Sequence, residues 1–578
     1  MSKGDSLSKR IQGSLPIVLG VTGHRDIREG DIPALKQLVR ELFLSLHEQY
    51  PHTPIQLLSP LAEGADQLAA EVALECNVQL VVPIPMPIDL YKSDFESPES
   101  IQKFEWLLGQ ATNSFELPLG EGLTIESVRE QGEGRNHQYG LLGAYIVRNS
   151  HALLALWDGV LPERSNGTAD VVGFNLNGIP EAFVENRSLL EPEESDPVWH
   201  IITPRVSNPN PVGTPLTMTM VYPSRFESSE QGKKKFHEVL KTTDQFNRDA
   251  IEYDEKLAAE REKSKSYLID PSEKIIGDPS LKATVELFGV ADSLAGHFRN
   301  STHTTLKVLF LIVTGAAIIF DIYTHVYITI WTLLSIYLLL LVVTYVVVVR
   351  SQKNSFQTRY LDYRALAEGI RVRFFWSITG ISDEIADHYL HKQRSELDWI
   401  RYALRVWNLG QSSLEENVEK SERFRILRKY WVDDQFQYYT RAAKREEGLV
   451  KRAEKWAGGM VIVGILLAFF QVIQQGVINP SPDKHPIHWL LVAVALAPIL
   501  AGLLIGYVEK RAHGDHAKQY ERMSILFANA REHLSEILQD GDVEKGQRLI
   551  SELGREALAE NGDWVLIHRD RPIEVPKA

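Results

Sequence analysis

Two stretches of the chain are apolar over lengths that the core helices of soluble domains rarely reach. Residues 308–349 are almost continuously apolar. A membrane span needs about 20 such residues, so this run is too long for one helix and long enough for two. The polar group around Asp321 marks the break. We therefore predict membrane helices at 305–323 and 327–349, joined by a tight turn.

A second apolar pair is predicted at 457–474 and 488–508, separated by a glycine- and proline-containing segment that cannot continue a helix. Arginine and lysine concentrate after each pair, in 350–364 and 508–522, whereas the turns within the pairs contribute Lys484 alone. Basic residues mark the cytoplasmic side of a membrane protein. The sequence therefore predicts a multi-pass membrane protein in which both termini are cytoplasmic, with four transmembrane helices in two hairpins.

The two predicted hairpins are similar to each other. Each is followed by a charged helical segment in which a tyrosine, a leucine and an arginine recur with an offset of 160 residues: Tyr360, Leu366 and Arg371, then Tyr520, Leu526 and Arg531. This repetition favours an internal duplication, and shared helix composition is the alternative. Between the copies, 395–408 and 438–456 have the apolar spacing and charge of helices.

The first two hundred residues follow a different pattern, in which short apolar runs alternate with amphipathic segments. Such alternation predicts a Rossmann-like α/β domain, with a parallel sheet and helices on both faces. The predicted strands are 17–22, 55–58, 78–84, 152–157 and 198–203. The predicted helices are 32–50, 65–76, 139–149 and one that begins near 169.

Small and polar residues follow three of these strands directly. In parallel sheets, ligands bind beyond the carboxyl ends of the strands, and a loop that opens into a helix presents free amides to an anion. Glycine permits close backbone approach, and arginine can pair with phosphate. The residues that we expect to bind a nucleotide are Thr22, Gly23, His24, Arg25, Ser59, Glu63, Gly64, Asp66, Asp158, Gly159, Asn166, Gly167 and Thr168.

Charge and cysteine content narrow the classes of function. The formal net charge is −14 and no basic tail or stripe is present, which argues against nucleic acid as a partner. Cys76 is the sole cysteine, so a disulfide framework within the chain and a cysteine-rich zinc site are excluded. The polar first 15 residues do not have the pattern of a signal peptide. The sequence predicts no cofactor, no metal site and no assigned catalytic residue, and the histidines His24, His137, His151 and His200 are interpreted as ligand contacts or satisfied core groups.

The loop motifs resemble the SLOG superfamily, the Rossmann-like group that includes the cytokinin-activating LOG proteins and the DNA-processing DprA proteins. The matching stretches are 21–25, 58–66, 166–169 and 200–205. The apolar hairpins look like the SLOG-associated two-transmembrane (SLATT) effector domains of bacterial conflict systems. The resemblance implies a sensor of a nucleotide second messenger, such as a cyclic oligonucleotide or an ADP-ribose derivative. It also implies an effector in the bacterial inner membrane that oligomerises and permeabilises the bilayer during phage attack.

The chain departs from the enzymatic members of that group at one loop. LOG enzymes carry a Gly-Gly-x-Gly-Thr-x-x-Glu loop with a catalytic glutamate, whereas the loop that begins at Asn166 has valine at the matching position. The acidic Glu63 beside the expected phosphate loop favours a ligand with few phosphates, or a ribose hydroxyl bound to that carboxylate. Both features argue against LOG-like hydrolysis.

Two other functions stay open on sequence grounds. A membrane-tethered nucleotide hydrolase or glycosidase could use Asp26, Glu63, Asp66 or Asp158 as a general acid or base. A transporter or constitutive channel is less compatible with spans that carry few polar groups. The predicted organisation is a nucleotide-binding domain, a helical connector, a first hairpin, a cytoplasmic helical segment, a second hairpin and a helical tail, at 1–207, 208–304, 305–350, 351–456, 457–508 and 509–578.

Overall fold

The computed structural model describes residues 13–160, 167–184, 195–381, 383–389, 394–407, 409, 419–478 and 488–574. These residues form two compact units. The first unit comprises residues of 1–256 and 384–415, and the second comprises residues of 257–383 and 416–578. The chain therefore passes between the units three times, and the first unit extends beyond the predicted 1–207 segment.

The first unit is built on a seven-stranded sheet. Its strands are β1 (Ile17–Gly23), β2 (Ile55–Leu58), β3 (Gln79–Ile84), β4 (Asn113–Glu116), β5 (Ala152–Trp157), β6 (Val198–Ile202) and β7 (Met218–Val221). Their order is β4-β3-β2-β1-β5-β6-β7. Every neighbouring pair is parallel except β6 and β7, which are antiparallel. The predicted parallel sheet is confirmed, with the correction that an antiparallel edge strand makes it mixed.

The helices of both units are numbered here in chain order. They are α1 (Ile32–Gln49), α2 (Ala65–Glu75), α3 (Ile88–Lys92), α4 (Pro98–Gln110), α5 (Ile125–Arg129), α6 (Glu133–Arg148), α7 (Thr168–Asn177), α8 (Ser229–Glu252), α9 (Ala258–Leu268), α10 (Pro279–His325), α11 (Trp331–Lys353), α12 (Phe356–Thr379), α13 (Ile385–His388), α14 (Arg394–Val406), α15 (Lys420–Leu427), α16 (Asp433–Ile473), α17 (His488–Lys510), α18 (His513–Asp540) and α19 (Val543–Arg569).

Alternate residues of β1 point into cores on opposite faces of the sheet, as the two-residue period of a strand requires. Leu19 packs with Val39 of α1 and Leu68 of α2. Val18 packs on the other face with Ile146 of α6 and residues of α7. Helices therefore cover both faces, which leaves the ends of the central strands as the place where a ligand can reach the sheet.

The second unit is helical, and four of its described helices, α10, α11, α16 and α17, are long and apolar enough to cross a membrane. Between 11% and 22% of the residues in their apolar windows are buried, far fewer than the core helix of a soluble protein would bury. The two long helix pairs share an order of elements. In each, a 23-residue helix ends at a lysine, Lys353 or Lys510, and a further helix follows directly after a residue with positive φ, Ser355 (49°) or Ala512 (53°).

Candidate functional site

A cavity of about 940 Å³ opens at the carboxyl ends of β1 and β5. From β1 the chain adds β2, β3 and β4 outward on one side, and it then returns to place β5 on the other side. This reversal of strand order is the point at which open α/β sheets form a crevice for ligands. The volume lies near the upper end of the roughly 300–1,000 Å³ that is usual for small-molecule sites.

Eight of the residues predicted from the sequence line this cavity together. They come from the end of β1, the start of α2, the residue after β5 and the start of α7: Thr22, Gly23, His24, Arg25, Asp66, Asp158, Gly167 and Thr168. Their positions are up to 146 residues apart in the chain (168 − 22). The parallel order of the strands brings them together, because it collects the loops that follow successive strands at one edge.

Four predicted residues lie beside the cavity rather than in its lining. Ser59 is fully buried, and its hydroxyl accepts a hydrogen bond from the Leu61 backbone (3.2 Å). The Glu63 carboxylate accepts from the backbone N–H of Glu96 (2.9 Å), so it ties down a loop. Gly159 lies between two lining residues. Gly64, the fourth, directly precedes α2, and Asn166 lies outside the described residues.

Two of the glycines are required by packing. Gly64 has a φ of +80°, and a Cβ there would lie 2.4 Å from the backbone oxygen of Arg25. A Cβ on Gly23 would lie 2.3 Å from the Cβ of Ala65. These glycines therefore let the end of β1 and the residues after it approach the start of α2 closely. Gly167 differs, since among the described residues no heavy atom lies within 4 Å of a Cβ built on it.

A charged network forms the rim between β5 and the segment after β6. Asp158 Oδ1 lies 3.1 Å from His24 Nε2, and Asp158 Oδ2 accepts from Asn208 Nδ2 (3.0 Å). Burial opposes ionisation of Asp158, but the hydrogen bonds from Asn208 and the Val160 backbone lower its pKa. Burial, together with the positive charge of Arg205, lowers the pKa of His24. A carboxylate beside a neutral imidazole is the state expected at neutral pH.

Arg205 connects that network to a second carboxylate. Its Nε donates to Asp26 Oδ1 (2.8 Å), and its Nη1 lies 3.9 Å from Asp158 Oδ2. Burial works against ionisation of Asp26, but hydrogen bonds from Ser207 and Arg205 lower its pKa to about 2. Arg205 lines the cavity with much of its charge already paired.

Asp66 is a buried acid in the cavity lining. It is 4% exposed, and among the described residues its Oδ1 has no hydrogen-bond partner. Burial raises its pKa to about 8, although Arg25 and a backbone hydrogen bond from Ala62 act in the opposite direction. At neutral pH this carboxyl is therefore largely protonated, so it can donate a hydrogen bond to a ligand or act as a general acid.

Arg25 supplies the more accessible positive charge. Its Nη1 donates to the backbone oxygen of Asp94 (3.1 Å), and its guanidinium also interacts with the Tyr139 hydroxyl. The Asp94 carboxylate is itself held by Arg135 (2.6 Å) and by the hydroxyl of Tyr139. Asp94 is thus satisfied by other groups, and the five N–H groups of the Arg25 guanidinium exceed these two partners, so donors remain for an anion.

Helix α6 and the aromatic wall are contributions that sequence reasoning missed. Tyr139, Tyr91, Trp157 and Phe174 line the cavity, as do Asn136, Gly140 and Gly143 of α6. Among the described residues, Trp157 Nε1 is a buried donor without a partner. The spacing of Gly140 and Gly143, which permits close helix contact, was the sequence signal for this part of the cavity. The predicted helix began at 139, whereas α6 begins at Glu133. Aromatic faces with a spare donor suit a flat heterocycle.

The start of α7 carries its own acid. Asp170 Oδ2 accepts from the Gly167 backbone N–H (3.0 Å), and this interaction caps the helix. The Asp170 carboxylate offsets the positive end of α7, whereas Asp66, which is protonated at neutral pH, adds no negative charge at the start of α2. The cavity therefore fits a heterocycle with one or two phosphates better than it fits a triphosphate.

The remaining predicted histidines are structural. His137 stacks on Phe183, and the His200 ring lies against Trp157 with Nε2 3.0 Å from the Trp157 backbone oxygen. His151 is 1% exposed, and its Nδ1 accepts from the Val18 backbone N–H (3.1 Å). Burial lowers its pKa to about 4, so it is a neutral core group.

Comparison of the chain with models of protein families gives no match, and comparison with curated proteins gives no similar sequence. The functional argument therefore depends on the geometry of the cavity and on the apolar helices of the second unit.

Proposed function

We propose that this chain is a membrane sensor–effector, in which the cavity of the first unit binds a nucleotide-derived second messenger and the second unit permeabilises a membrane. The observation that carries the proposal is a ligand-sized cavity at the strand-order reversal in the same chain as four membrane-length apolar helices. Ligand binding can drive such a response only if the ligand binds the membrane-active state more tightly than the resting state.

The ligand class follows from the cavity lining. The aromatic wall formed by Tyr91, Tyr139, Trp157 and Phe174 suits a base, and the protonated Asp66 and the Trp157 indole supply donors for its acceptor atoms. The free donors of Arg25 suit a phosphate. A cyclic oligonucleotide or an ADP-ribose derivative combines these groups.

The family assignment belongs to the same proposal. The stretches that resemble the SLOG superfamily contain Gly23, Gly64 and Gly167. Gly23 ends β1, Gly64 precedes α2 and Gly167 precedes α7, and these positions support the proposal. Membership of the SLOG and SLATT groups would make the protein an antiviral effector of a bacterial inner membrane.

The proposed membrane arrangement is two hairpins, α10–α11 and α16–α17, with both termini cytoplasmic. The basic residues at 350–364 and 508–522 follow the second helix of each pair. We propose that several copies assemble, because four helices enclose too little space for a pore. Among the described residues no heavy atom lies within 4 Å of a Cβ built on Gly502 of α17, so another helix can approach α17 closely at this glycine.

A nucleotide hydrolase or glycosidase is the second candidate. Asp66 is protonated at neutral pH and the ionised Asp158 lies beside His24, so the cavity contains both an acid and a base. Pairs of groups whose pKa values are pushed apart are typical of catalytic sites. Recovery of the bound nucleotide intact after prolonged incubation separates the sensor from this enzyme.

The binding half of the proposal is tested by calorimetry on the full chain in detergent, with cyclic dinucleotides, cyclic ADP-ribose and AMP as probes. Arg25→Ala should weaken binding of the best probe by about 10–150-fold, which is the value of a charge-assisted hydrogen bond of roughly 1.5–3 kcal/mol. Arg40→Ala is the matched control, because Arg40 pairs with Glu75 on the surface away from the cavity. Equal affinity in both variants would remove the proposed site.

A further inference from the structure

Three helices of the second unit bring imidazoles and a carboxylate together. Glu446 lies on α16, His513 and His516 lie one turn apart on α18, and His568 lies on α19. Within the described part of the chain, the ligand atoms of Glu446, His513 and His516 lie within 4.8 Å of one another. His568 Nε2 is 3.1 Å from His516 Nε2.

The hydrogen bond on the far side of His568 fixes its tautomer. Nδ1 lies 2.8 Å from the backbone oxygen of Trp564, which can only accept, so Nδ1 carries the proton. The neutral ring then presents a lone pair at Nε2 toward His516. Such a second hydrogen bond to a carbonyl is the usual support of a histidine that binds a metal ion.

The spacing of the nitrogens fits a shared ion. Nε2 of His516 and Nε2 of His568 are 3.1 Å apart. If a cation lay about 2.05 Å from each of them, the nitrogen–metal–nitrogen angle would be about 100°, close to a tetrahedral or octahedral angle. On the other side, His513 Nδ1 contacts Glu446 Oε2, and both residues are less than 9% exposed. The mixed nitrogen and oxygen donor set suits zinc and its neighbours among the divalent transition metals.

The neighbouring residues support a metal-binding site rather than a chance contact between these side chains. Arg445 lies 3.1 Å from Glu446 Oε1, which leaves Oε2 to face the imidazoles. Two arginines lie near His568: Arg571 is paired with Asp515 at 2.5 Å, and Arg511 donates to the Tyr507 hydroxyl (3.2 Å). Ala512, the residue before His513, has a φ of +53°, a left-handed conformation that non-glycine residues seldom adopt. That turn places His513 as the first, buried residue of α18.

We propose that Glu446, His513, His516 and His568 bind one divalent transition-metal ion, with Zn²⁺ as the first expected occupant. The ion would join α16, α18 and α19 near the ends of the third and fourth apolar helices. It is independent of the nucleotide cavity, and it would stabilise the second unit whether or not a nucleotide is bound.

The test uses the full chain in detergent with an affinity tag that contains no histidine. After dialysis against a chelator and readdition of Zn²⁺, bound metal is measured by mass spectrometry, and Co²⁺ is substituted for its visible absorption spectrum. The wild type should bind one equivalent of Zn²⁺, and its unfolding temperature should rise when Zn²⁺ is added. Glu446→Gln and His516→Gln should each weaken binding at least ~10-fold and abolish that rise.

His533→Gln is the matched control, because His533 lies on the same helix, α18, with a 63% exposed side chain. It should bind Zn²⁺ like the wild type. Two results overturn the proposal: a wild type that binds no Zn²⁺, or metal binding that His533→Gln reduces as much as His516→Gln does. The wild-type stoichiometry decides the question even if a ligand variant fails to fold.

Discussion

The two units differ in how far their large apolar side chains are buried. In the sheet unit, Ile17 and Leu154 are fully buried. In the helical unit, Leu311, Leu338 and Trp331 are 71%, 60% and 74% exposed. Leucine is buried in one unit and exposed in the other, so residue type alone does not separate the units. The position of the residue in the fold does.

This contrast indicates which solvent each unit requires. Burial stabilises apolar surface by about 25 cal/mol per Å², and soluble monomers rarely expose apolar patches above a few hundred Å². The sheet unit buries its apolar surface within itself, because helices cover both faces of the sheet. The helical unit buries its apolar surface only if lipid or other helices cover α10, α11, α16 and α17. The exposure of apolar side chains in each unit therefore supports the membrane assignment more strongly than a hydropathy averaged over the whole chain.

The largest expected effect is an all-or-none difference in labelling. In a Cys76→Ser background, Thr329→Cys places a thiol in the exposed turn between α10 and α11, and Glu544→Cys places one at the exposed start of α19. In intact cells an impermeant thiol reagent should label Thr329→Cys and leave Glu544→Cys unlabelled until the cells are permeabilised. The reverse pattern would place the sheet unit outside the cell.

A matched pair of leucines tests the contrast in burial. Leu154→Ala removes a fully buried side chain from β5, and such truncations cost about 2–5 kcal/mol, or roughly 4–20 °C in the unfolding temperature. Leu338→Ala on α11 removes a side chain that faces outward and should cost less than about 1 kcal/mol in detergent. Both are measured by thermal unfolding of the purified full chain. An equal loss would mean that Leu338 packs in a protein core.

A smaller effect depends on pH. The pKa of His151 is about 4 in the fold against an ordinary 6.5, so the unfolded chain binds the extra proton first. Its stabilising contribution is therefore complete above pH 6.5 and is lost as the pH falls toward 4, by up to about 3 kcal/mol. His151→Asn keeps an acceptor for the Val18 N–H without titrating. Stability measured against that variant should decline over this window, and parallel pH curves would contradict the assignment.

The elements that sequence predicted best are those with one dominant signal. β2 and β5 begin and end at the predicted residues, because each is a short apolar run bounded by polar or turn residues. β4 was missed, since Asn113–Glu116 is an edge strand with exposed side chains and no apolar alternation. β7 was missed as well; its alternating Met218–Val221 lies at the opposite edge.

The site was predictable where it follows strands and unpredictable where it depends on helix register. Thr22 and Gly23 end β1, His24 and Arg25 follow it, and Asp158 follows β5. Sheet topology alone therefore places them at the cavity. Tyr139 enters the cavity from the side of α6, and its distance from β1 is set by packing that no local pattern encodes. The protonated state of Asp66 likewise depends on burial, a property of the folded unit.

The central claim is that ligand bound in the sheet unit controls permeability through the helical unit. Its most direct test is release of an entrapped dye from liposomes that contain the purified full chain, with cyclic dinucleotides and cyclic ADP-ribose as probes. We expect leakage only with a probe that binds, and we expect that probe to be recovered chemically unchanged. The probe concentration that causes half-maximal leakage should be at least ~10 times higher for Arg25→Ala. Leakage that ignores every probe would favour a constitutive channel, and turnover of the probe without leakage would favour the hydrolase; either result would contradict the account.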